Sequence, residues 1–145
     1  MGSVSDDPVV QETVKVLESL SIDFEVRVMS AHRKPKAVME YAQSARDRGV
    51  EVLIGAAGGS AALPGVLAAW STLPVIGIPL ASSELKGADA LTAIAQMPPG
   101  IPVACVAIGS WGARNAAYLA AEILAIKYPE IRKTYDEYRK NLQES

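Results

Sequence analysis

At 145 residues, half of them apolar, the chain can bury one sizeable core, and a single domain spanning residues 1–145 is the expectation. Its 14 basic and 16 acidic residues leave a net charge of −2, which argues against the positive field that a nucleic-acid backbone or an anionic membrane requires. One cysteine, Cys105, and one histidine, His32, rule out an internal disulfide and a metal centre built from a histidine/cysteine cluster.

Taken from the beginning, Val10, Val14, Leu17 and Leu20 recur at three- and four-residue spacing and predict one buried helix face over Pro8 to Leu20. Asp7 is the expected cap, with Pro8 at the first helical position. Phe24 to Val28 alternates apolar and charged residues, as a strand does, and leads through Ser30-Ala-His-Arg33 to a helix from Pro35 that Gly49 ends. Val50 to Ala57 is a nearly continuous apolar run followed by Gly58-Gly59 and an Ala/Leu helix to Trp70, the pattern of a strand covered on both faces. Pro74 to Pro79 and Pro102 to Ile108 repeat it. Such alternation predicts an α/β three-layer sandwich around a parallel sheet, with ligands at the carboxyl ends of the strands. The tail from Pro129 to Gln143 reads as a helix whose stripe of Ile131, Tyr135, Tyr138 and Leu142 needs a partner surface. No apolar run approaches the ~20 residues of a membrane span, and Asp6 and Asp7 stand where a signal peptide carries positive charge, so the expected location is cytoplasmic.

Three loops of this pattern could carry chemistry. Gly2-Ser-Val-Ser-Asp6, just before a helix, puts the hydroxyls of Ser3 and Ser5 and free backbone amides where a phosphate is stabilised, although a Ser/Asp-rich helix start is equally a plain cap. Ser30-Ala-His32-Arg33 sets an imidazole, able to exchange a proton near neutral pH, beside a guanidinium that can grip an anion; a lone histidine can also be merely structural or exposed. Gly58 and Gly59 either let a flat ring approach the backbone or simply make a tight strand-to-helix turn. Residues Ala81 to Gly87 are polar enough for a mobile lid, Pro98-Pro99-Gly100 reads as a turn, and Gly109-Ser-Trp-Gly112 as a helix entry or a further ligand loop.

In order and spacing, Gly2-Ser-Val-Ser-Asp6, Ser30-Ala-His-Arg33, Ala57-Gly-Gly59, Leu63-Pro-Gly65, Leu73-Pro-Val-Ile-Gly77, Leu85-Lys-Gly-Ala-Asp89, Gln96-Met-Pro98 and Ala107-Ile-Gly109 with Asn115-Ala-Ala117 resemble the class I 5-(carboxyamino)imidazole ribonucleotide mutases of purine (IMP) biosynthesis. The resemblance covers nearly the whole chain. It implies a flavodoxin-like fold and a homo-octamer. The reaction it implies is conversion of a small-molecule ribonucleotide to its 4-carboxy isomer without metal, ATP or organic cofactor. By carry-over, His32 moves the proton, while Ser3, Ser5, Asp6, Ser30, Arg33, Gly58 and Gly59 bind the substrate. Two departures from the family pattern stand out: Ala62 occupies the place of a histidine and Ser60 that of an alanine, and the apolar strand that normally precedes the Gly-Ser motif is not part of this sequence.

Rival readings remain at this level. A direct carboxylase, joining free carbon dioxide to aminoimidazole ribonucleotide, shares most of these motifs. A noncatalytic nucleotide-binding or assembly protein needs no acid/base histidine. A phospho-receiver of similar topology needs an aspartate at the end of the Val52 to Ala57 strand, and there is none.

Overall fold

The computed structural model describes residues 1–144. Three apolar runs become parallel strands: β1 (Leu53–Gly58), β2 (Val75–Leu80) and β3 (Ala104–Cys105), in the order β1-β2-β3. Leu53 stands opposite Val75, Gly55 opposite Gly77 and Ile76 opposite Ala104. Every residue of β2 is buried, because helices cover both faces of the sheet and no side of the strand meets water.

On one face lie α1 (Asp7–Ser19) and α5 (Gly109–Ala125); on the other lie α2 (Pro35–Ala45), α3 (Ala62–Trp70) and α4 (Ala88–Ala95). Ile76 and Ile78 pack with Ala113, Ala116 and Ala120 of α5, while Val75 and Leu53 pack with Val38, Leu67 and Ile94 on the opposite face. The result is the expected three-layer α/β sandwich of flavodoxin-like type. Small residues let α5 serve two layers: Ala117 and Ala121 meet Val16 and Leu17 of α1 and Tyr135 of α6 (Pro129–Glu144), so the tail stripe finds its partner within the chain. Leu142, at the end of that stripe, is 53% exposed. Among the described residues no helix is long and apolar enough to cross a membrane.

Four local expectations need correction. Asp7 is the first residue of α1 rather than its cap, and Pro8 is the second; the capping position falls to Asp6, whose carboxylate is engaged with the Ser3 amide instead. The strand predicted over Pro102 to Ile108 shrinks to Ala104–Cys105, since it has only β2 as a neighbour and Pro102 has no amide to donate. The helix from Pro35 ends at Ala45, and the chain reaches Gly49 (φ 86°) through a turn closed by the Val50 amide on the Ala45 carbonyl. The fourth is the segment Phe24 to Val28, which joins no sheet ladder. Its alternating pattern is that of a strand, but among the described residues its backbone is met by Met1 alone: Met1 N donates to Arg27 O at 2.8 Å, and Met29 N to Met1 O at 2.8 Å. On the other side Gly2 N donates to Ala56 O of β1 at 3.1 Å. One extended stretch, Met1–Gly2, therefore bridges both neighbours, so the space between Phe24–Val28 and β1 is one strand wide. Beyond Met1 that space is an apolar groove of about 660 Å³ between Val10, Val14 and Leu17 on one face and Leu63 and Leu67 on the other.

Candidate functional site

The bridging hydrogen bonds fix which loops meet. Met1 is tied to Met29, Gly2 to Ala56, and β1 pairs with β2 in parallel, so the segments that follow residues 2, 29, 58 and 80 all leave from one end of the sheet. They carry, side by side, the Ser-Asp turn, the His-Arg turn, the glycine pair and the β2–α4 loop.

Ser3 caps a single 3-10 turn, Val4–Asp6, in a reciprocal box. Ser3 N donates to Asp6 Oδ2 at 2.9 Å, while Ser3 Oγ accepts from Ser5 N at 3.3 Å and from Ser5 Oγ at 2.9 Å. These contacts use the lone pairs of Ser3 Oγ and leave its proton to be donated outward, as an anion requires. Asp6 is 8% exposed, which makes it a rigid strut of the turn.

His32 lies in a turn closed by Lys34 N on Ser30 O at 2.8 Å and by Arg33 N on Ser30 Oγ at 3.3 Å. Ser30 thus shapes the turn through its hydroxyl. The His32 and Arg33 side chains are exposed and make no hydrogen bond or ion pair with the described residues. An uncommitted imidazole and guanidinium on a fixed backbone suit proton exchange with, and anchoring of, an anionic ligand.

The two glycines do different jobs. A Cβ on Gly58 would stand 1.7 Å from Ser82 Oγ, so its missing side chain makes room for the β2–α4 loop. Gly59 has φ 60°, a left-handed value that favours glycine, and a Cβ there would meet nothing within 4 Å. Close approach to an outside group is thus possible at Gly59, which also makes the turn after β1, whereas the space beside Gly58 is taken by Ser82. Ala62 is the first residue of α3, half-buried, preceded by Ala61 at φ 42°. Gly109 opens α5, so Gly109-Ser-Trp-Gly112 is a helix entry; Asn115 Nδ2 holds the preceding loop through Val106 O at 3.1 Å. Trp111 is left 72% exposed.

Ser3, Ser5, Asp6, Ser30, His32, Arg33, Gly58 and Gly59 therefore share one end of the molecule. Ser82 escaped the sequence reading because a serine in a polar loop has no periodicity; only the backbone geometry seats it on Gly58. The site is an open rim: His32 lines neither the 660 Å³ groove nor a second hollow of about 830 Å³ around Trp70, Leu73 and Ile101. Among the described residues no three histidine, cysteine, aspartate or glutamate side chains cluster as for a metal ion.

Comparison with known proteins finds similarity along nearly the whole chain. The family model described as AIR carboxylase matches residues 1–145. The N5-carboxyaminoimidazole ribonucleotide mutase of Pyrococcus abyssi is 56% identical over 143 residues, 99% of this chain and 81% of that protein. The protein of the same name from Pseudomonas aeruginosa is 48% identical, covering 100% of this chain and 89% of its own length. Among solved structures, the crystal structure of Treponema denticola PurE superposes with a TM-score of 0.86 at 27% identity, covering 99% of this chain and 89% of that one.

Proposed function

This chain belongs to the AIR carboxylase family, and we infer that it is an N5-carboxyaminoimidazole ribonucleotide mutase, an isomerase that moves the substrate's carboxylate from the exocyclic nitrogen to carbon 4 of the imidazole ring in purine biosynthesis. The observation that carries the assignment is the rim itself: a phosphate-ready Ser-Asp turn, an uncommitted His32–Arg33 pair and the open Gly59 backbone at one end of a parallel sheet.

In this reading Ser3 and Arg33 hold the ribose phosphate end, Ser5 and Asp6 brace the Ser3 turn, Ser30 keeps the His-Arg turn in shape, and the ring lies against the open Gly59 beside Gly58. His32 begins protonated. As the bond between nitrogen and carboxylate breaks, carbon dioxide departs and the imidazolium gives its proton to the nitrogen, leaving an amine. Carbon 4 then attacks the carbon dioxide, and neutral His32 removes the proton from that carbon, which restores the aromatic ring and the starting imidazolium. Atoms balance without a co-reactant. Holding carbon dioxide beside the ring makes its recapture effectively intramolecular.

The open rim and Trp111, exposed at the entry of α5, support an oligomer whose neighbouring subunit covers the site, an octamer by resemblance, working in the cytoplasm. Ala62, in the place of the family's histidine, favours one second reading, a direct carboxylase. Initial rates with the carboxyamino substrate, and with aminoimidazole ribonucleotide plus bicarbonate, separate the two. The mutase turns over the first at low bicarbonate; turnover of the second alone assigns the carboxylase, and binding without turnover of either assigns a noncatalytic relative.

A further inference from the structure

The β2–α4 loop, residues 81–87, reaches back over the end of β1. A Cβ on Gly58 would stand 1.7 Å from Ser82 Oγ and 3.0 Å from its Cβ, so the Ser82 side chain rests directly on the Gly58 backbone, next to the open Gly59. The following residue carries a tether: Ser83 Oγ donates to Asp89 Oδ2 at 2.5 Å, and Asp89 Oδ1 accepts from Ala90 N at 2.8 Å. The other hydrogen bonds of residues 82–87 are local turns, from Leu85 N to Ser83 Oγ, Lys86 N to Ser83 O and Ala88 N to Leu85 O, together with Leu91 N on Gly87 O at the start of α4.

Beyond these bonds the loop is held at its far end, where Gly87 is buried against Ile108 and Ala81, and has little else to fix residues 82–86. Leu85 is 65% exposed, and Lys86 takes φ 52°, a left-handed value that a lysine adopts only when its surroundings impose it. Asp89 is built to act as the fixed end. It sits in the first turn of α4, where the helix dipole favours a carboxylate, and the Ser83 hydroxyl and Ala90 amide hold its carboxyl below the usual range. A hydroxyl donating to a charged carboxylate is among the stronger hydrogen bonds.

We propose that Ser83 and Asp89 are positioning residues whose hydrogen bond latches the β2–α4 loop and sets Ser82 as a wall of the ring site at Gly58–Gly59. The ligand is the imidazole ring and its carboxylate, and in this the inference rests on the mutase reading. Neither residue touches substrate; both act through Ser82. The sequence reading left Ala81 to Gly87 as a lid, whereas a latched loop is ordered before substrate arrives and contributes affinity rather than closure.

Ser83→Ala tests this, because it removes the latch and leaves the bond between Asp89 and Ala90 in place. Tryptic cleavage after Lys86 is expected to quicken about fivefold or more, since the loop opens more often. KM for the carboxyamino substrate is expected to rise about threefold to tenfold, as loss of one hydrogen bond does, with kcat changed less than about twofold. Ser83→Thr, which keeps a hydroxyl, should restore both, and the double variant Ser83→Ala/Asp89→Ala should be no worse than the worse single. An unchanged rate of cleavage at Lys86 overturns the latch. Faster cleavage with KM unaltered, or with kcat falling in step, overturns the positioning role. If the unaltered protein neither binds nor converts the ribonucleotide, the mutase reading fails by itself, and cleavage at Lys86 still decides on the latch.

Discussion

His32 and Arg33 are chain neighbours in one turn, yet the chemistry asks different things of them. Replacing His32 with Asn keeps a polar side chain but ends proton cycling, so turnover is expected to fall about 100-fold or more while titration still shows ribonucleotide binding; turnover within a few-fold of the unaltered protein removes His32 from the reaction. Arg33→Ala is expected to cost roughly 1.5–3 kcal/mol of substrate affinity, the worth of a charge-assisted contact, with little change in melting temperature. If affinity holds while stability drops, Arg33 has a structural role. As candidates both residues were legible in the sequence because they sit in a short polar stretch between a strand pattern and Pro35. Gly58 was only half legible: a glycine pair signals close approach, but whether the visitor is a ligand or Ser82 depends on a contact between residues far apart in the chain. The role of Asp7 was misread because Ser3 and Asp6 pair locally one step earlier and shift the start of α1.

Among the elements, β1 and β2 were easy to read, since a strand buried on both faces has no polar alternation to confuse it. Gly77, in the middle of β2, shows how tightly α3 and α4 lie on the sheet: a Cβ there would stand 2.4 Å from Ile94 Cγ2 and 3.3 Å from Pro64. Gly77→Ala is therefore expected to destabilise the fold by about 1–3 kcal/mol in chemical denaturation, the usual cost of overpacking; a neutral result would mean that α4 shifts without loss. Phe24 to Val28 gave a strand pattern without a ladder, and it is anchored in part by charge. Glu25 Oε1 lies 2.6 Å from Arg48 Nη1, and this guanidinium, ahead of Tyr41 and Arg27, holds the Glu25 carboxyl down to about 2 from its ordinary value of 4.5. A depressed folded-state pKa contributes stability above the unfolded value and loses it as pH falls. The difference in melting temperature between the unaltered protein and Glu25→Gln is expected to be present above about pH 4.5 and to vanish toward pH 2; a difference independent of pH would assign Glu25 a packing role.

At the scale of the whole molecule, the sheet leaves a parallel slot between Phe24–Val28 and β1, with Met1 and Gly2 already bonded to both sides. In that register a preceding residue would next accept from Ala56 N, and the one before it from Arg27 N. Appending five apolar residues before Met1 is expected to raise the melting temperature by about 5 °C or more and to slow amide exchange at Arg27 and Ala56. A version of the extension with alternating aspartates should do neither, because helices cover both faces of the slot; no effect of the apolar extension would mean that the slot does not take a strand. The layer order, the helices and the sheet edge where the candidate loops meet were all foreseeable from alternating periods, whereas the open slot was not a matter of periodicity but of which neighbour each strand finds. The central claim is that one carboxylate travels from nitrogen to carbon within the site, with His32 moving the proton. A single turnover of substrate carrying a ¹³C-labelled carboxylate, run in unlabelled bicarbonate, tests it most directly: the mutase delivers the label to carbon 4 of the product, and a product formed with unlabelled carboxylate, its label lost to the pool, contradicts it.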